Sequence, residues 1–190
     1  MYGIKDPRFV TKDEVREMSK KLKINPGQSF VLNKDFFSHI EKKDTLKKDK
    51  DVIRCSPMIS KYEQPLQLLY FDETGTLISF HNNCYTGGFP KLKWNKNHQF
   101  EEFVPKTTIP ITDSALRLSL LISYIEPIDT NYRFANDKII IVLFWSGFMM
   151  KQSKELIETA RQNLKLDITQ SAKILYVNTD NCFVGEKYTN

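Results

Sequence analysis

Cysteine is scarce in this 190-residue chain: Cys55, Cys84 and Cys182 have no metal-ligand spacing, and their odd number leaves at least one thiol unpaired within a monomer. Long apolar runs are missing as well. The longest, IIIVLFW at 139–145, is strand-sized and far below the 18 or so residues of a conventional membrane-spanning helix. The opening MYGIKDPRF has no apolar signal-peptide core, so the chain is expected to be either cytosolic or a mature form whose leader has been removed. There is no glycine-rich phosphate loop and no zinc spacing, and neither a cofactor nor a metal is expected. Glu101 and Glu102 are adjacent and alternate in direction if extended, which is no acid–base dyad.

What is present bounds the class. A 41% apolar content supplies a substantial core for one domain spanning 1–190, and the net charge of +5 favours acidic surfaces without identifying one. The densest charge run, EKKDTLKKDKD at 41–51, holds five lysines and four acids, which describes a solvated segment better than a phosphate-tracking stripe.

Periodicity sets the elements. Thr11 and Glu14 have capping-box spacing ahead of Val15, Met18 and Leu22, predicting a helix over 11–23. NPG at 25–27 ends it, SFVLN follows as a strand, and Phe36, Phe37 and Ile40 mark a further helical turn or two before a charged loop. Residues 1–60 thus read as a helical flank. PLQLLYFDETGTLISFHNN is a hairpin, with strands near 66–72 and 76–81 and Gly75 supplying a positive φ. Residues 84–110 read as a long surface insertion with a small hairpin near NKNH. Asp113, or Thr112 before it, caps a helix expected to run through Ile125, which Pro127 stops. Strand 138–145, helix 150–165 and strand 173–178 close the chain as a right-handed β-α-β unit.

IIIVLFWSGFMMKQSKELIE followed by KILYVNTDN resembles the central strand, active-site helix and next strand of the thioredoxin-like superfamily. In that family the strand ends in Trp-Cys-Gly-Pro-Cys. Trp145 and Gly147 match, whereas Ser146, Phe148 and Met149 replace the first cysteine, the proline and the second cysteine. The hairpin preceded by Pro65 is similar to the family's later strand pair, where a proline, commonly cis, faces the active site. The resemblance implies an α/β fold of three layers, α/β/α, with a central mixed sheet of about five strands in rearranged, permutation-like order.

It also implies a site without its chemistry. Dithiol exchange needs a thiolate and a resolving thiol, and neither Ser146 nor Met149 supplies one. As a nucleophile Ser146 lacks a motif joining it to His39, His81 or His98, so it is expected to cap the helix by accepting a backbone N–H, with Met149 and Met150 as packing residues. The leading expectation is a redox-inactive binding or scaffold domain that holds a protein or peptide around Trp145, Ser146, Gly147, Phe148, Met149, Pro65 and Trp94. The YGIKDPR start loosely resembles the mature beginnings of bacterial envelope lipoproteins, implying a periplasmic setting with a lipid anchor in a longer precursor; the alternative is cytoplasmic. A second function class is a thiol-dependent oxidoreductase or transferase using Cys84, with His81 three residues earlier. Cys182 could bridge to Cys55 or Cys84 in an oxidising compartment. Nucleic-acid binding by the aromatic and lysine residues of 85–103 is the third class and is not favoured over aromatics that anchor the loop.

Overall fold

The computed structural model describes residues 3–45, 62–111, 116–129 and 137–184. Helix α1 spans Lys12–Lys21, and its start is the expected capping box: Glu14 N donates to Thr11 Oγ1 at 3.2 Å while Thr11 N donates to Glu14 Oε2 at 2.9 Å. Strand β1 is Ser29–Leu32 and α2 is Asp35–Thr45, so the helix begun by Phe36 and Phe37 continues into the charged run rather than stopping before it. The remainder of that run lies outside the described residues.

The hairpin forms as expected, β2 being Gln67–Phe71 and β3 Leu77–Asn82. Gly75 at its turn has φ 73°. A short helix α3, Asn83–Thr86, opens the long excursion, capped by Asn82 Oδ1, which accepts from Cys84 N and Tyr85 N. The expected hairpin at NKNH is instead a 3₁₀ turn, Lys96–His98. Leu92, Trp94 and Phe100 are buried in the core, and Thr108 N and Ile109 N donate to Phe80 O, seating the returning chain against β3.

Helix α4 is only Leu118–Ile122, with its expected cap region outside the described residues. The chain turns at Ser123 and Tyr124, and Ile125–Pro127 forms β4, antiparallel to β1. Pro127 sits at the sheet edge, where its missing N–H deprives no neighbour. The C-terminal unit is β5, Ile139–Trp145, then α5, Met150–Leu164, then β6, Ala172–Asn178.

These strands make one six-stranded mixed sheet in the order β3-β2-β5-β6-β1-β4, one strand more than expected because β4 adds an edge. Strand β1, from within the supposed helical flank, lies between β6 and β4, parallel to β6. The apolar, unalternating sequence of β5 follows from a packed layer on each face. Ile141, Leu143 and Trp145 join one core with α1, α5 and the excursion. Ile140, Val142 and Phe144 join a second core with α2 and α4.

Candidate functional site

The C-terminal end of β5 is the place the Trp-Ser-Gly stretch singles out, and sheet register decides what meets it. Strand β5 pairs with β6 up to Trp145↔Asn178, so Ser146 and Gly147 leave the sheet level with Thr179 and Asp180. On the other side Gln67 pairs with Phe144, and continuing that register brings Pro65 level with Ser146. Thr179 ties the three segments together: its N donates to Trp145 O at 3.0 Å, and its hydroxyl is shared between Pro65 O at 3.0 Å and Trp145 O at 3.2 Å. Among the described residues the cis peptide bonds are Phe89–Pro90 and Phe103–Val104. The Gln64–Pro65 bond is therefore trans, unlike the proline the resemblance implies.

Ser146 does not cap α5. Its hydroxyl donates to Asp180 Oδ1 at 2.5 Å, and the α5 N-cap is Met149, with no side-chain hydrogen bond. Asp180, only 2% exposed, also accepts from Gly147 N at 2.8 and 3.0 Å and from Asn178 Nδ2 at 3.1 Å. Four donor contacts from three residues thus compensate a buried carboxylate that has no ion-pair partner among the described residues. The backbone of Ser146 is held from the helix side, with Ser153 Oγ accepting from Ser146 N at 2.9 Å and donating to Ser146 O at 2.8 Å.

The junction is closed from outside. A Cβ on Gly147 would overlap the Met18 thioether of α1 and lie 2.7 Å from Asp180 Oδ2. Glycine is needed here for close approach, since two other elements occupy the space a side chain would take. Residues 3–10 then cross the outside: Lys5 N donates to Phe148 O at 2.9 Å, and Val10 exchanges bonds with the Asn181 amide, Val10 N to Oδ1 at 2.8 Å and Nδ2 to Val10 O at 2.9 Å. Arg8 is held above its ordinary pKa, chiefly by its hydrogen bond and charge pairing with Glu14, with a smaller contribution from Asp180.

Most of the expected recognition residues are consequently inside. Trp145 and Ser146 are fully buried, Met149 and Trp94 are buried, and only Gly147, Phe148 and Pro65 are half-buried. Neither indole N–H finds a hydrogen-bond partner, so both rings serve as apolar packing. Met149 does pack in the core as expected. Of the loop aromatics, Trp94 and Phe100 anchor the excursion while Lys91, Lys93 and Lys96 stay exposed, the arrangement expected of a packed loop and not of a base-stacking row.

The thiol readings change most. Cys84 is disulfide-bonded, its partner lying outside the described residues, so it presents no thiolate. His81 does not activate it. The ring is fully buried, with Nε2 3.0 Å from Ser79 Oγ and Nδ1 3.1 Å from Thr108 Oγ1, and burial pushes its pKa down to about 3. Cys182 is the free cysteine, bridging to neither of the others. Its Sγ donates weakly to Leu32 O and Asn33 O, both at 3.7 Å, and burial, followed by the charges of Asp180 and Asp35, pushes the thiol up to about 12. None of the three histidines bonds to Ser146: His39 packs beside Tyr124, His81 is engaged as above, and His98 pairs with Glu101 at 2.5 Å.

Asp180, Asn178, Met18 and Ser153 carry no signal in the sequence that marks them as part of this junction. NTDN marks a strand end but holds nothing that aims Asp180 at a serine 34 residues earlier. Among the described residues no group of three His, Cys, Asp or Glu side chains could hold a metal ion, and no helix is long and apolar enough to cross a membrane. No family model, curated protein or solved structure matches the chain.

Proposed function

We propose that this domain is a thioredoxin-like binding or scaffold module that performs no dithiol exchange, its hairpin placed ahead of the strand-helix-strand unit. Placement supports the likeness: β2 lies directly beside β5 with β3 beyond it, and Thr179 joins Pro65 to Trp145, so a proline flanks the junction as the resemblance implies. The observation that carries the lack of redox chemistry is the Ser146–Asp180 hydrogen bond beneath Met18. Exchange requires an accessible thiolate. A buried hydroxyl donating to a carboxylate is neither accessible nor a thiolate. The disulfide at Cys84 supports an oxidising setting such as the periplasm or cell envelope.

Recognition on this reading falls to the segments that cover the junction. The test is insulin reduction with dithiothreitol as electron source. The expected rate is the uncatalysed one, for the natural protein and for Cys84→Ser alike. An accelerated rate that disappears in Cys84→Ser would replace this reading with a thiol-dependent enzyme.

A further inference from the structure

Three large apolar side chains stand in solvent along the covering segments: Ile4 at 41% exposure, Phe9 at 66% and Phe89 at 62%. Single exposed apolar residues are ordinary, but these sit on anchored backbone, and two of them flank the first turn of α5. A Cβ on Gly3 would lie 3.7 Å from Lys151 Cβ, and Lys5 is bonded to Phe148, which sets Ile4 over the start of α5. Pro90 O accepts from Gln152 Nε2 at 3.0 Å, which sets Phe89 beside the same helical turn. Phe9 stands farther along, next to the Val10–Asn181 pair.

The unpaired charge around Ile4 and Phe89 is mainly basic. Lys5 and Lys151 are exposed and form no ion pair among the described residues, and the same holds for Lys91 and Lys93 just beyond Phe89. Arg8 is matched by Glu14, leaving Asp6 as the exposed acid within residues 3–10. Helix α5 has no acid in its first turn and no side-chain cap, so its positive pole adds to the field of the lysines.

We propose that this ridge docks the domain on an anionic phospholipid surface, Phe9, Phe89 and Ile4 entering the boundary between headgroups and acyl chains while the lysines meet lipid phosphates. Ile4 and Phe89, projecting among unpaired lysines with Phe9 beyond them, suit a soft, flat, negative surface. A peptide would ask for the junction groove, which Met18 and residues 3–10 fill. A nucleic acid would ask for a row of exposed rings, and Trp94 and Phe100 are inside. The proposal rests on reading the domain as a binding module, and its test is independent of the insulin assay, so either can fail alone.

Full-length protein is sedimented with vesicles of phosphatidylglycerol and phosphatidylcholine in equal parts, and with phosphatidylcholine alone. Binding is expected to the anionic vesicles only, to weaken with salt, and to fall about tenfold in Lys5→Glu/Lys151→Glu and again in Phe9→Ser/Phe89→Ser. All four side chains are exposed, so these variants should fold, as circular dichroism would verify. In the Phe89→Trp variant the added indole should shift its emission to the blue when anionic vesicles are present. No sedimentation at low salt, equal binding to phosphatidylcholine, binding indifferent to the Phe9/Phe89 pair, or an unshifted emission from the Phe89→Trp variant would each overturn the proposal. So would retention on soluble polyglutamate with none on vesicles, which would make the partner an acidic protein.

Discussion

The two ends of β5 solve the same problem in different ways. At its C-terminal end the Asp180 carboxylate gathers donors from residues 33 and 34 positions earlier, inside a closed site. At its N-terminal end two aspartates gather donors from their own turns. Asp72 accepts from Thr74 N, Thr74 Oγ1 and Thr76 N, and Asp167 accepts from Thr169 and from the amides of Ser171 and Ala172. Those turns border an open cleft of about 440 Å³ with Lys138, Ile139 and Phe103. The Asp72 and Asp167 carboxyls are held below their ordinary pKa, each chiefly by its threonine hydroxyl. The Asp72 turn is half-exposed and Asp167 is buried, yet each is satisfied within its own turn, whereas the long-range knot at Asp180 welds separate elements together.

Mutation should sharpen that contrast. Asp180→Ala leaves the Ser146 hydroxyl, the Gly147 N–H and the Asn178 amide without their acceptor in a buried site, and should cost about 3 kcal/mol or more in denaturant unfolding. Gly147→Ala forces a methyl against Met18 and Asp180 and should cost about 1–3 kcal/mol. Combining it with Met18→Ala should cost less than the sum, because the two share one space; strict additivity would mean that Met18 does not close the junction. Asp72→Ala, at the wet end, should cost only about 1 kcal/mol. An equal loss at Asp72 and Asp180 would erase the distinction between the two ends.

His81 provides a pH readout between these ends. Its folded pKa, about 3, lies below its ordinary 6.5, so as pH falls below 6.5 the unfolded chain takes up a proton the folded one refuses. Stability should be unaffected by this group above pH 6.5 and should decline below it by up to about 1.4 kcal/mol per unit, reaching its full loss near pH 3. Below about pH 4 the carboxylates of Asp72 and Asp167 add to the fall. His81→Gln should flatten the limb between pH 6.5 and about 4, and an unchanged limb would mean that another group controls it.

Elements whose cause is local were legible: the Thr11–Glu14 capping box, the Gly75 turn, and β5 as a strand buried on both faces. Errors arose where local rules met tertiary contacts. The apolar stripes of 116–125 read as one long helix, yet Ile125–Pro127 left it to pair with β1, whose edge needed a partner for its N–H and C=O groups. Trp94 read as a recognition aromatic in a loop, but the two backbone anchors made by Asn163 Nδ2 to Phe100 O and Glu102 O, at 3.0 and 2.9 Å, bind that loop to α5 and carry the ring inward. Ser146 read as a helix cap because it stands at the strand-to-helix junction; its acceptor lies beyond the end of another strand.

The amino-acid order alone determined that no Cys-x-x-Cys pair stands at the strand-to-helix junction, since side-chain chemistry does not depend on folding. Whether that junction faces solvent was decided only by the tertiary structure. The parallel register of β5 and β6 brings Asp180 under Gly147, and α1 lays Met18 over both, a closure set by packing between segments far apart in the chain.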